Sequence, residues 1–164
     1  MAASAVLLVL AATAAIAAMT ASASVAAKTQ VNVRTTSLGK ILVTAQGRTL
    51  YLFAPDKNGK STCYGSCASY WPPLFVSGKA TAGTGVKASL LGVTVRKDGK
   101  HQVTYTGHPL YTYVGDKAAG KTSGEGLNLS GGLWWVVSPA GKAVKNTTSS
   151  GGGGGGYGGG GYGG

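Results

Sequence analysis

From Ile41 the chain reads ILVTAQGRTLYLF, two β-prone runs flanking Gln46-Gly47. Glycine at the second loop position permits the positive φ that a two-residue hairpin turn needs. In that register Val43 opposes Leu50, Ile41 opposes Leu52, and Ala45 opposes Arg48. Those side chains share one face, and Leu42, Thr44, Thr49, Tyr51 and Phe53 share the other. The run HQVTYTGHPLYTY, from His101, repeats the arrangement around Thr106-Gly107. Here Tyr105 opposes His108, Val103 opposes Leu110, and His101 opposes Thr112. Tyr111 and Tyr113 then stand where Tyr51 and Phe53 stand in the first hairpin. Both hairpins leave into an Asp-Lys pair, Asp56-Lys57 and Asp116-Lys117, so TLYLFAPDK returns as PLYTYVGDK. Motif and pairing register recur together, which is the mark of a duplicated hairpin. Two copies are too few for a solenoid or propeller. The expected fold is all-β, a small pseudo-two-fold antiparallel sheet or sandwich built from two duplicated hairpin units.

Other elements follow from the same pattern. GVTVRK, Gly92 to Lys97, runs into Asp98-Gly99 and predicts a strand leading into the second hairpin as a three-stranded meander. LWWVV, Leu133 to Val137, predicts a strand, with a turn at Pro139-Ala140-Gly141 and a return over Lys142 to Lys145. Val31 to Val33 predicts an edge strand. Ser66 to Trp71 has room for one helical turn before Pro72-Pro73 stops it. No long stretch after the N-terminal segment carries the 3.6-residue period of a helix.

The two ends differ from the middle. Residues 1–27 are apolar and Ala-rich and close on TASASVAA, the form of a signal peptide with small-residue cleavage sites. No Lys or Arg precedes the apolar run, the mark of an atypical signal or an upstream start, and the run is nearly long enough to span a membrane, so a retained anchor is the alternative. No Cys lies near the cleavage region, which argues against a lipid anchor. Residues 147–164 end in GGGGGGYGGGGYGG, a Gly-rich tail expected to be disordered, serving as a spacer or as a tail presenting Tyr157 and Tyr162. The duplicated domain occupies residues 28–146, with repeat one over about 38–76 and repeat two over about 92–141. The chain carries 15 Lys and Arg against 4 Asp and Glu, a net charge of +11. The basic residues are dispersed, which excludes a dense nucleic-acid arm. They suit solubility, or attraction to anionic cell-wall polymers or acidic lipids, which salt would screen.

Candidate chemistry is sparse. Cys63 and Cys67 form a C-x3-C pair, which in an exported chain predicts a disulfide. A metal site would need further ligands, and the spacing is not that of a thiol oxidoreductase. Asp56 and Asp116 invite a carboxylate-pair hydrolase or a Ca²⁺ site. An Asp that closes the turn after each strand is the simpler expectation. His101 and His108 fall roughly 13 Å apart along the hairpin, too far for one metal or a direct proton relay. Tyr51, Tyr111, Trp71, Trp134 and Trp135 are either core or a stacking platform for a ligand. Trp134 and Trp135 point to opposite faces if they lie on a strand.

The motifs YLFAPD and YTYVGD, with CYGSCASYWPPL after the first and GHPLYTYVGD around the second, resemble a bacterial family of secreted repeats of unknown function. That family includes predicted lipoproteins with a Y-x-[FWY]-x-x-D motif. The resemblance spans roughly Leu38 to Gly141 and marks Tyr51, Phe53, Asp56, Tyr111, Tyr113 and Asp116 as the repeat motif. It implies bacterial origin, export and a paired repeat, and no established activity. The expectation is a non-enzymatic exported or wall-associated binding protein, with no cofactor, no specific nucleic acid and no identified protein partner. A small redox or metal-handling protein using Cys63 and Cys67 is the alternative.

Overall fold

The computed structural model describes residues 28–145. The expected signal peptide and Gly-rich tail lie outside the described residues. The described residues build nine short strands, one α-helical turn and one 3-10 turn: β1 Gln30–Thr36, β2 Gly39–Thr44, β3 Tyr51–Phe53, α1 Ser66–Tyr70, β4 Thr81–Ala82, the 3-10 turn Ala88–Leu90, β5 Leu91–Val95, β6 His101–Tyr105, β7 His108–Pro109, β8 Asn128–Leu129 and β9 Gly132–Val136. They form three small sheets, ordered β2-β1-β4, β3-β9-β8 and β5-β6-β7. The all-β duplicated architecture expected from the hydrophobic pattern is present.

The second hairpin has the expected register. Tyr105 pairs with His108 and Thr104 with Pro109. Thr106 and Gly107 both take positive φ, 50° and 77°, as a two-residue turn that follows the strand twist requires. β5 leads into β6 and completes the expected meander.

The first hairpin differs. Val43 bridges Thr49, not Leu50, and Thr44 N–H donates to Arg48 C=O at 2.8 Å. The loop is therefore Ala45-Gln46-Gly47, three residues, with Gly47 at φ 79°. A type I turn followed by a left-handed glycine gives this longer loop. One residue of slip exchanges the two faces of a strand. Leu42 therefore joins Leu50 and Leu52 in an aliphatic cluster with Val31, Val103 and Leu110. Ile41 and Val43 join Tyr51, Phe53, Trp71, Tyr111, Trp134 and Val136 in an aromatic cluster. β3 lies between the two, and all three of its residues are buried.

β1 is not an edge. It pairs antiparallel with β2 and parallel with β4, and Val31 is buried. β4 falls between the two copies, where Thr-Ala-Gly composition carries little strand signal.

The copies exchange partners. β3 of the first copy pairs with β9 of the second, Tyr51 opposite Val136 and Phe53 opposite Trp134. Tyr111 of the second copy bridges Pro73 of the first. Tyr51 and Tyr111 bridge each other, with N–H···O=C bonds of 2.8 and 3.0 Å in the two directions. A pseudo-two-fold axis runs between these tyrosines, and each copy completes its neighbour's sheet.

Candidate functional site

The duplicated motif meets at that axis. Tyr51 on β3 and Tyr111 just beyond β7 face each other across the bridge they share, and both belong to the aromatic cluster. The Tyr51 hydroxyl donates to Asp116 Oδ2 at 2.7 Å, and the Tyr111 hydroxyl donates to Asp56 Oδ2 at 2.6 Å. Each tyrosine is held by the other copy's aspartate. The second carboxylate oxygens close the exit turns. Asp56 Oδ1 accepts from Thr62 N–H at 2.7 Å and from the Thr62 hydroxyl at 2.8 Å, and Asp116 Oδ1 accepts from Ser123 N–H at 2.8 Å.

Burial sets the electrostatics. Tyr51 and Tyr111 have no exposed surface, and Asp116 has 1%. Desolvation pushes both phenols well above their ordinary range, and the carboxylate beside each pushes further. Burial also raises the Asp56 carboxyl, an effect opposed by its bonds from Tyr111 and Thr62 and by the Arg96 charge. Both aspartates are enclosed and bonded at both oxygens, so neither lines an open carboxylate cleft or offers a free oxygen to Ca²⁺. The turn-closing role was legible, and the crossed tyrosine partner was not.

Around this pair the rings stack. Trp71 lies on Trp134 at 3.9 Å with planes 1° apart. Phe53 stacks on the outer side of Trp134 at 4.1 Å, and Tyr113 on Trp71 at 4.2 Å. Tyr51 and Tyr111 meet Trp71 and Trp134 edge-on at 5.3 and 5.1 Å. The order Phe53, Trp134, Trp71, Tyr113 alternates between copies, as the pseudo-symmetry demands. The stacking-platform expectation is thereby corrected. Tyr51, Tyr111, Trp71 and Trp134 are each fully buried and form core. Trp71 enters this core from the turn that follows α1, and Trp134 enters it from β9. Trp135 takes the opposite face, partly buried against the aliphatic cluster, with Lys145 Nζ 5.8 Å from its ring centre.

Cys63 and Cys67 are joined in a disulfide with Cα atoms 5.3 Å apart. It closes the turn at the start of α1, and Cys63 belongs to the aromatic core. Among the described residues no group of three His, Cys, Asp or Glu stands together to hold a metal. His101 is exposed at the start of β6, and His108 is half-buried at the start of β7, opposite Tyr105.

Arg96 carries structure that the sequence reading missed. Its guanidinium is buried and donates to Ser61 Oγ at 2.6 Å, Gln102 Oε1 at 2.7 Å and Cys63 C=O at 2.7 Å. The Tyr64 ring lies 4.2 Å from its centre. Arg96 thus ties the disulfide turn of copy one to the meander of copy two. The one available signal was an arginine directly after an alternating strand.

Every lysine from Lys28 to Lys145 is exposed. Asp56 and Asp116 are withdrawn into the core, Glu125 Oε2 accepts from Val136 N–H at 2.7 Å, and Asp98 lies 3.6 Å from Arg96 Nε.

A comparison with curated proteins and a comparison with solved structures returned no match. The family profile described as a secreted repeat of unknown function matches twice, over residues 32–74 and 92–138. Each match contains one Tyr-Asp motif, and the first takes in both cysteines. With its two interlocked motifs, this extracytoplasmic chain belongs to that family of secreted repeats.

Proposed function

We propose that the protein is a non-enzymatic, envelope-associated binding module whose basic surface holds anionic polymers of the cell wall or membrane. One observation carries this reading. Among the described residues the fold buries Asp56 and Asp116 and a single cation, Arg96, while leaving every lysine exposed, which supports a net basic exterior. Such a surface raises the local concentration of polyanions and speeds their capture, and added salt weakens both effects.

The disulfide favours a structural role for the cysteines over redox or metal handling. Cys63 has no exposed surface, and its carbonyl is held by Arg96. A working redox pair needs an accessible sulfur.

Co-sedimentation of the protein with purified bacterial cell walls over a salt series tests the proposal. Binding that fades as salt rises is the expected result. Absence of binding to walls and to anionic vesicles at every salt concentration would overturn it.

A further inference from the structure

Three lysines far apart in sequence meet around one hollow of the surface. That hollow, of about 480 Å³, is lined by Lys28, Phe75, Ser77, Lys79, Lys100 and His101 among others. A second, of about 630 Å³, lies alongside and shares Lys79 and His101. It continues toward Val93, which is 39% exposed. Neither hollow is lined by a carboxylate. Phe75 is 41% exposed, although it bridges Gln102 and its carbonyl accepts from Thr29 Oγ1. Its backbone is therefore fixed while its ring faces solvent. Lys100 Nζ lies 5.2 Å from that ring's centre.

We propose that these joined hollows form a binding groove for a phosphodiester-linked polyol or sugar polymer. This inference rests on the basic-surface reading above and gives it a site and a ligand class. Lysine ammoniums are compact point charges that suit successive phosphates, whereas planar carboxylates favour the fork of arginine. The Phe75 ring offers an apolar face to the C–H groups of a sugar or polyol between two phosphates. The two hollows adjoin at Lys79 and His101, so together they offer room for more than one unit of such a chain. A flat bilayer would meet protruding lysines and could not enter the concavity.

The test is calorimetric titration of the protein with a short glycerol-phosphate oligomer at low salt. An uncharged polyglycerol of equal length and anionic phosphatidylglycerol vesicles run in parallel. The double variant Lys79→Gln/Lys100→Gln is expected to bind the oligomer about ten-fold more weakly. Lys57→Gln/Lys60→Gln, which removes the same charge outside the groove, is expected to change binding by less than about two-fold. Phe75→Ala is expected to lose the part of binding that survives high salt. All these side chains are exposed, and an unchanged near-ultraviolet circular dichroism spectrum verifies folding. Equal loss in the two lysine doubles would overturn the groove and leave the basic-surface reading standing. Binding to walls or vesicles without binding to the oligomer would overturn the ligand class. Binding to none of the three, nor to walls, would overturn both readings.

Discussion

Tyr51 donates a 2.7 Å hydrogen bond to Asp116, although the two stand 65 residues apart and belong to different copies of the repeat. Tyr111 and Asp56 make the mirrored bond at 2.6 Å. The motif's tyrosine and aspartate are thus partners across copies and not within one.

Tyr51→Phe keeps the ring in its place and removes the hydroxyl that donates to Asp116 Oδ2. A buried carboxylate deprived of a donor costs about 2 kcal/mol. The urea denaturation midpoint should fall accordingly. A double-mutant cycle with Asp116→Asn should return a coupling of at least about 1 kcal/mol. A coupling near zero would show that the bond contributes nothing to stability.

Alkaline pH should destabilise the fold through the same tyrosines. Their folded-state pKa values are raised by burial above the ordinary value of 10.0. Below that value the phenols are neutral in both states, and the stability they contribute is fully present. As pH rises past it, unfolded tyrosine ionises first and stability is progressively lost. Ultraviolet titration run beside circular dichroism follows ionisation and unfolding together. Tyr51 and Tyr111 should ionise only with unfolding, as comparison with Tyr51→Phe and Tyr111→Phe checks. Ionisation of Tyr51 and Tyr111 near the ordinary value, with the fold intact, would contradict this.

Arg96→Met should cost more than opening the disulfide. Removing the guanidinium strips donors from Ser61, Gln102 and the Cys63 carbonyl at once, a loss of about 3 kcal/mol or more. The Cys63–Cys67 bridge closes a loop with a sequence separation of only 4, so Cys63→Ser/Cys67→Ser should cost about 2 kcal/mol by chain entropy. Thermal denaturation of both variants decides the order, and the reverse ranking would refute the tie assigned to Arg96.

Neither copy should fold alone. A fragment ending at Leu90 lacks Trp134, Val136 and Asp116, which complete the Tyr51 strand and its hydroxyl. It should show no near-ultraviolet circular dichroism as a monomer. Mixing it with a fragment beginning at Leu91 should restore the spectrum. A folded monomeric fragment would disprove the interlock.

Much of this fold was legible because a duplicated pattern constrains itself. The alternation in LYLF and LYTY separates Leu50 and Leu110 from Tyr51 and Tyr111, and the structure gives each pair its own core. The Thr106-Gly107 turn was readable because two positive φ values suit a two-residue loop. Gln46-Gly47 misled because one glycine serves a two-residue or a three-residue loop, and only packing chooses. The crossed pairing of β3 with β9 was not legible. Two near-identical motifs are interchangeable in sequence, and nothing local says which aspartate each tyrosine finds. Phe75 and the groove around it escaped because they arise where β6, the segment after Pro73 and the N-terminus of the domain converge, a meeting with no local signature.

The exchange of strands has a consequence for where such a protein can work. Its two halves meet as isologous subunits do, by a patch that complements itself under a half-turn. Separate subunits of that kind come apart on dilution. Here the segment from Ser77 to Leu90 tethers them, so reassembly is intramolecular and independent of how much protein surrounds the molecule. Outside the cell, where a released protein thins without limit, a dimer carried in one chain keeps its partner.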